Sequence, residues 1–363
     1  MSKGLVLITG GAGFIGSHTA EELLRVGYRV RLLDNLTQPI HTGDWPEWLP
    51  DCERMLGDVR NREDWSKALR GVDYVVHLAA HQDLLPNFSQ FFHVNSVGTA
   101  LLYELIVAGK LPVKKVVVAS SQFVYGEGRY QCAKDGEVFP EGRDPQNGQW
   151  DPVCPKCGGP ITPLPLLESH ANPKNQYSIS KYSQELMAIA LGRNYGIPSV
   201  AMRYSIVQGP RQSFRNAYSG VLRIFTLQML RGRQASVFED GRQLRDYVNV
   251  DDVARANRLA LESDRANFEV FNVGGGRGYT VLEFAGIVSE MPPNVTGEFR
   301  VGDTRHSVSD ISKLQTLGWK PTKTPHDSVR EYVEWIRQQK LDKDYAAEAL
   351  DTLRKMGALR KAT

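Results

Sequence analysis

Tyr177 and Lys181 stand four residues apart in Tyr177-Ser178-Ile179-Ser180-Lys181. On a helix this spacing puts a phenol and an ammonium on one face, about one turn from each other. A nearby positive charge favours the phenolate. Bringing a tyrosine from its free pKa of about 10 to near 7 takes about 4 kcal/mol of differential stabilisation, at ~1.4 kcal/mol per unit. Lys181 could supply part of that, leaving a general base able to take a proton from an alcohol. Tyrosine and lysine are also common on solvated helix faces, so the pair takes its meaning from what surrounds it.

Gly10-Gly11-Ala12-Gly13-Phe14-Ile15-Gly16 lies between the apolar run Leu5–Ile8 and a helical segment carrying Ala20, Leu23, Leu24 and Val26. Glycines at 10, 13 and 16 let the backbone turn tightly, approach a pyrophosphate and pack helix on strand. The helix N-terminus adds N–H donors and a favourable dipole for phosphates. A merely flexible loop does not account for three glycines at this spacing. Asp34 follows a second strand, Arg29–Leu33, 18 residues after Gly16, where a carboxylate can bond a ribose 2′-hydroxyl. A 2′-phosphate there would meet that charge. Unit charges ~4 Å apart at an effective dielectric of ~20 repel by about 4 kcal/mol, so NAD is expected over NADP. A helix N-cap is the alternative role for Asp34. Asn35 is placed with it among the cofactor contacts, and Asp58 and Val59, past the third strand, border the adenine. A bound nicotinamide cation would add to the positive charge that favours a Tyr177 phenolate.

Further strands are predicted at Tyr74–Leu78, Lys115–Ser120 and Ser199–Arg203. Strands alternating with helices imply βαβ units and a doubly wound parallel sheet in an α/β fold. Residues 1–203 are expected to form the NAD-binding domain, with a cysteine-containing insertion over 127–165. Residues 204–340 read as a smaller α/β substrate domain with segments returning to the first. Residues 341–363 read as a charged helical tail lying solvated on the surface. The chain has 363 residues, 41% hydrophobic and 23% charged, with a net charge of +3. That balance is ordinary for a soluble globular enzyme and too small to argue for nucleic acid. No apolar run reaches the ~18 residues of a membrane span. Met1-Ser2-Lys3-Gly4 runs straight into the first strand, so no signal peptide and a cytoplasmic location are expected. Four cysteines in so long a chain do not make a disulfide framework.

Within the insertion, Cys154-Pro155-Lys156-Cys157-Gly158-Gly159 has the look of a zinc knuckle. Cys132-Ala133-Lys134-Asp135-Gly136 echoes it, with Asp135 where a second cysteine would stand. Three thiolates and one carboxylate could close a tetrahedral structural Zn²⁺ site. A degenerate knuckle without metal, or free thiols, are the alternatives. A catalytic metal is not expected.

In order along the chain, Thr9 to Gly16, His77-Leu78-Ala79-Ala80, Asn95, Ser120 to Gly126, Tyr177 with Lys181, Gly209 to Gln212, Arg245 to Val248, Asn272-Val273-Gly274 and Leu317-Gly318-Trp319 resemble the extended short-chain dehydrogenase/reductase family. Its members include nucleotide-sugar epimerases and dehydratases. The resemblance implies a Rossmann-type fold and a homodimer through helices near 101–108 and 177–193. It makes Tyr177 the catalytic base, gives Lys181 the nicotinamide ribose, and has Ser121 hydrogen-bond the reacting oxygen. Phe14, Ile15, Leu78, Ala79, Ala80 and Asn95 fall at cofactor positions, and Tyr204 should border the nicotinamide. Arg245 and Arg305 match positions that grip the diphosphate of a nucleotide-diphosphate sugar, a role suited to a guanidinium fork. Gln122, Ser205, Arg211 and Asn216 are the other substrate positions. Ile206 departs from the asparagine many relatives carry there.

Dehydratases of the family have Asp-Glu after the catalytic hydroxyl residue, and decarboxylases a Glu at the second of these positions. Here the pair is Gln122-Phe123, and neither does proton work. Hydride chemistry remains: a 4-epimerase oxidising sugar C4 to a 4-keto intermediate and returning the hydride to the opposite face. Gln122-Phe123 and Arg203–Pro210 are most similar to dTDP-L-rhamnose 4-epimerase-type enzymes, which interconvert the dTDP-L-rhamnose and dTDP-6-deoxy-L-talose pair. UDP-hexoses are the alternative substrates. A 4-ketoreductase is the alternative reaction, and a catalytically inactive NAD-binding regulator the alternative of another class.

Overall fold

Alternate residues of the first strand enter opposite cores. In the computed structural model, which describes residues 2–83, 86–216 and 220–363, Val6 and Ile8 join one buried cluster, Leu5 and Leu7 another. This is the period of a strand covered on both faces. The sheet has seven strands: β1 (Leu5–Thr9), β2 (Arg29–Asp34), β3 (Glu53–Leu56, a largely exposed edge), β4 (Tyr74–His77), β5 (Lys115–Ser121), β6 (Ser199–Tyr204) and β7 (Glu269–Val273). Their order is β7-β6-β5-β4-β1-β2-β3, and every pairing is parallel. The chain reverses its direction of travel between β1 and β4. In a Rossmann-type sheet the carboxyl ends around that point are where ligands bind.

Helices cover both faces. α1 (Phe14–Arg25) and α4 (Val250–Glu262) pack on one side through Ala20, Leu23, Val253 and Ala256. α2 (Gly98–Ala108) and α3 (Gln176–Tyr195) cover the other through Leu102, Tyr103, Ile106 and Ala188. The Lys115 amine is buried at the start of β5. It donates to the carbonyls of Ser263 (2.9 Å) and Ala260 (3.5 Å) at the carboxyl end of α4, where the helix dipole favours a cation.

After β6 a second unit begins. Ile206–Gln208 pairs in parallel with Leu244–Asn249, which pairs antiparallel with Gly278–Thr280. Phe225, Tyr247, Phe284 and Tyr332 lie in its core. β7 then returns to the main sheet. Within the insertion, Tyr130–Cys132 is the central strand between Gly136–Val138 and Ile161–Pro163.

Two segments differ from the sequence reading. The helical run Phe88–Ala108 is 21 residues long and apolar enough by composition to cross a bilayer. Polar Asn95 and Glu104 interrupt it in the sequence, and Phe91, Asn95, Leu102 and Tyr103 are buried within the protein. The tail is not a solvated helix. Its helix, Tyr345–Lys355, buries Tyr345, Ala346, Ala349, Leu350 and Leu353, and Leu359–Lys361 pairs antiparallel with Glu298–Arg300. The buried positions recur with helical period on one face, while Asp351, Arg354 and Lys355 mask them in the text of the chain. Leu353→Ala should therefore lower unfolding free energy in urea by about 2–4 kcal/mol. A loss below about 0.5 kcal/mol would return the tail to the solvated surface.

Candidate active site

The loops after β1, β2, β4, β5 and β6 meet at the carboxyl edge of the sheet. In the first, Gly10 has φ 67°. A Cβ on Gly10 would lie 2.8 Å from the Ala79 nitrogen, and one on Gly16 2.2 Å from the Gly10 carbonyl oxygen. Only glycine allows this approach, and it presses Leu78-Ala79-Ala80 against the turn. Gly13 is the N-cap of α1 and no side chain caps it, so the first N–H groups of Phe14, Ile15 and Gly16 stay available to an anion. Asp34 ends β2 and ties the turn to it: its carboxylate accepts from the Ala12 N–H (3.0 Å) and the Leu36 N–H (2.9 Å). Asn35 donates to Asp58 at 3.0 Å. Burial raises the Asp58 carboxyl, but hydrogen bonds from Arg60 and Asn35 outweigh it and hold the group at about 2. Val59 is buried, and its carbonyl accepts from the Trp65 indole at 2.7 Å. The close glycines and the uncapped helix end fit the donors a dinucleotide's phosphates need, and the carboxylate at the end of the second strand fits the acceptor its ribose needs.

Asn95 lies in a π-helical turn, Phe92–Val97, a feature common at functional sites. Its side chain accepts from the His81 N–H (2.8 Å) and donates to the His81 carbonyl (3.1 Å) and the Ser180 hydroxyl (2.9 Å). It thus joins the loop after β4 to α3 beside Lys181. α3 starts in a capping box: Asn175 accepts from the Ser178 N–H (2.8 Å), and the Ser178 hydroxyl accepts from the Asn175 N–H (3.0 Å). This fixes where the helix begins and so fixes the phase of Tyr177 and Lys181.

Both side chains are buried, Tyr177 at 8% exposure and Lys181 at 1%. Burial pushes the Tyr177 phenol up to about 12, opposed by a hydrogen bond with Ser121. Burial also brings the Lys181 ammonium down to about 7, opposed by the Glu185 carboxylate. The sequence argument gave the lysine charge the leading role, yet desolvation is the larger influence on both groups. The Lys181 ammonium donates to the Gln184 side chain. The Phe123 ring stands edge-on to Tyr177, with centroids 6.1 Å apart. Ser121 ends β5, and its hydroxyl accepts from the Phe123 N–H at 3.2 Å. Gln122 accepts from the Ser307 hydroxyl at 2.8 Å.

A buried ion pair underlies this group. Arg203 bonds Glu185 through two nitrogens (2.9 and 2.6 Å), and Ser120 donates to the same carboxylate at 2.7 Å. Arg203 also donates to the His170 carbonyl (2.9 Å) and lies 4.8 Å over the Tyr125 ring. Tyr125 in turn donates to Asn272 at 2.6 Å. Sequence reasoning missed this network, although Glu185 follows Lys181 by four residues on the same helix face.

The substrate positions divide. Arg211 has φ 68°, a strained conformation for a branched-free but bulky residue. One of its nitrogens donates to Glu21 at 2.6 Å, and the other terminal nitrogen is buried without a partner among the described residues. It lines a cleft with Ala12, Gly13, Phe14, Arg215 and Trp335. Asn216 follows at the end of that described segment. Ser205 bonds Asp246 (3.0 Å) and Ser309 (2.7 Å), and burial pushes the Asp246 carboxyl up to about 7 against the hydrogen bonds it accepts. Tyr204 points into the core and donates to Asn257 at 2.7 Å. Arg245 and Arg305 are not open forks. Arg245 donates to the carbonyls of Leu244, Arg305 and Thr304 and to Asp303. Arg305, 1% exposed, is held by Asp151 (2.7 Å), Glu239 (2.7 Å) and Asp240 (2.8 and 2.9 Å). Acids from the insertion and from the 239–240 turn occupy the donors that a diphosphate would need.

Glu185→Gln should destabilise the protein by about 3–5 kcal/mol in urea unfolding, because the Arg203 guanidinium stays buried without its carboxylate. A change below about 1 kcal/mol would show that the pair is not the support described.

The NAD dependent epimerase/dehydratase family matches this chain over residues 6–149 and 153–274. A dTDP-L-rhamnose 4-epimerase of Burkholderia thailandensis is 32% identical over 349 residues, 92% of this chain and 95% of that protein. Among solved structures, the UDP-glucose 4-epimerase of Thermotoga maritima with UDP-glucose is similar at a TM-score of 0.75 and 32% identity, covering 92% of this chain and 99% of the other. The Thermus thermophilus UDP-glucose 4-epimerase in complex with NAD is similar at 0.73 and 31% identity, over 93% of this chain and all (100%) of that one. The two solved structures are thus similar in fold to this molecule over more than nine-tenths of its length. The chain belongs to the NAD dependent epimerase/dehydratase family, within the extended short-chain dehydrogenases/reductases, and is an NAD-dependent enzyme.

Proposed function

We propose that the enzyme is a nucleotide-sugar 4-epimerase. The observation that carries this is the pair after Ser121: an amide, Gln122, bonded to Ser307, and a phenyl ring, Phe123, set edge-on to Tyr177. Elimination or decarboxylation needs an additional acid or base at these positions, and neither residue exchanges protons. Bound NAD⁺ supplies a hydride acceptor that is also the donor for the return. Tyr177 takes the C4 hydroxyl proton, and Ser121 holds the same oxygen through its hydroxyl. A phenol at about 12 must fall about 5 units to act at neutral pH, which is about 7 kcal/mol of stabilisation. The Lys181 ammonium contributes, since a desolvated phenolate and ammonium favour each other's charged forms. Tyr177 then returns the proton as the sugar, turned over, is reduced on its other face.

In this reading the glycine turn and Asp34 receive the cofactor's phosphates and adenosine ribose, and Lys181 the nicotinamide ribose. The Arg211 cleft receives phosphate from the sugar nucleotide, which residues 204–340 mainly bind. The dTDP-L-rhamnose and dTDP-6-deoxy-L-talose pair is the proposed substrate, supported by the Burkholderia relative and by apolar Phe123 and Ile206, which suit a 6-deoxy sugar. UDP-hexoses are the second reading, favoured by the Thermotoga neighbour's UDP-glucose. Exposed Val97, Val107, Ile179 and Leu186, on the helical run before β5 and on α3, support a homodimer through those helices. The proposal also includes a structural Zn²⁺ on Cys132, Asp135, Cys154 and Cys157.

Purified enzyme should interconvert one such sugar nucleotide and its C4 epimer with no nicotinamide added. Stoichiometric consumption of NADH would instead make it a 4-ketoreductase. Tyr177→Phe should lower kcat by about 10²–10⁴-fold while NAD is retained; unchanged turnover would refute the assignment. Lys181→Met should move the rising limb of the kcat/KM pH profile to higher pH by about 1–3 units, because removing the positive charge disfavours the phenolate. A limb that stays in place would separate Lys181 from the base.

A further inference from the structure

We infer that the metal site of the insertion braces one wall of the sugar pocket: Zn²⁺ on Cys132, Asp135, Cys154 and Cys157 closes the insertion, and the insertion holds residues 303–309 against Gln122. One ligand atom from each of the four residues lies within 4.8 Å of all the others. Cys132 Sγ is 3.6 Å from Cys157 Sγ and 3.5 Å from Asp135 Oδ2, and Cys154 Sγ is 3.2 Å from the same oxygen. A tetrahedral ion with Zn–S of about 2.3 Å and Zn–O of about 2.1 Å has S···S edges of about 3.8 Å and S···O edges of about 3.6 Å. A disulfide would bring two sulfurs to about 2.05 Å, and all four cysteines are free. Three thiolates and one oxygen select a soft tetrahedral ion rather than Mg²⁺ or Ca²⁺.

The second arm closes in a tight turn: the Gly158 N–H donates to the Cys154 carbonyl (2.8 Å), and the Cys154 N–H to the Gly159 carbonyl (2.9 Å). Within the insertion little apolar surface is buried. Its own apolar cluster is Tyr130, Cys132, Val138, Cys154 and Ile161, and units this small usually need a metal or a disulfide.

Arg143 binds Glu239 through two nitrogens (3.0 and 2.6 Å), and Phe139 and Trp150 meet the rings of His170 and Phe299; several further outward contacts meet one strip, 303–309. Glu127 accepts from the Arg305 N–H (2.9 Å), Asp151 accepts from the Arg305 guanidinium (2.7 Å), and Arg143 donates to the Asp303 carbonyl (3.3 Å). Tyr130 stands edge-on to His306 at 6.2 Å. Glu127 and Tyr130 lead directly into Cys132, and Asp151 into Cys154, so these contacts sit on the arms the ion draws together. From the same strip Ser307 reaches Gln122 (2.8 Å), and Ser309 reaches Ser205 (2.7 Å). That the strip walls a sugar pocket rests on the reading of the site as a nucleotide-sugar epimerase.

The test uses the full-length enzyme purified without chelator, with metal content and hydrogen exchange by mass spectrometry read side by side. Wild type and Asp135→Cys should each carry about one zinc per chain, and the Cys154→Ser/Cys157→Ser double variant should carry almost none. Removing the ion should speed exchange in 127–165 and also in 303–309, while the glycine turn at 10–16 keeps its protection. Wild type with fewer than about 0.3 zinc per chain, or a mass showing a disulfide, would overturn the site. Unchanged exchange in 303–309 after the ion is removed would overturn the brace. Both readouts stand without any substrate, so failure to find an epimerised sugar would count against the proposed reaction alone.

Discussion

Lys181 and Tyr177 are held almost wholly out of water, one helical turn apart, and this shared desolvation sets the terms for the carboxyl edge of the sheet. Burial penalises charge on either group alone. It lifts the phenol and lowers the ammonium, bringing both toward neutrality. In the proposed reaction a base built this way would act only when charge is formed in company: phenolate with ammonium, beside a cation brought by the cofactor. Water would supply that stabilisation indiscriminately and remove the coupling. The surrounding structure exists to keep the pair dry and in phase. The capping box at Asn175 sets where α3 begins, Asn95 pins its first turn to the loop after β4, and Glu185 with Arg203 fills the space beneath.

The same economy of charge shapes selectivity. Next to Tyr177 the chain places an amide and a ring, which in the proposed reaction would confine proton traffic to one oxygen. Farther out, an arginine expected to meet a diphosphate is bound by the protein's own acids: Arg305 by Asp151, Glu239 and Asp240. Arg211, with a buried nitrogen that no group among the described residues satisfies, stands at the cleft beside the glycine turn.

Legibility in the sequence followed the range of the interactions. The setting of the glycine turn, of Asp34 at the end of β2 and of Tyr177 and Lys181 on α3 could be read because it lies in local order: strand, turn and helix in succession, or two residues one turn apart. The doubly wound sheet could be read for the same reason. Arg245 and Arg305 could not, because what decides their role is Asp303, Asp151 and Glu239, brought to them by the fold from other parts of the chain. The tail helix was hidden by charges on its outer face. The direction of the Tyr177 shift was out of reach because depth of burial, unlike spacing, is not written in five residues. The four insertion ligands were recognisable as residue types, whereas their meeting within 4.8 Å belongs to the structure.

The central claim is reversible hydride transfer at one carbon, with Tyr177 as base. It is tested most directly by following a deuterium label placed at C4 of the interconverted sugar nucleotide, in the absence of free nicotinamide cofactor. The account predicts that the label stays at C4 and appears in the epimer with inverted configuration. Loss of the label to solvent, or epimerisation with label retained but another carbon inverted, would contradict it.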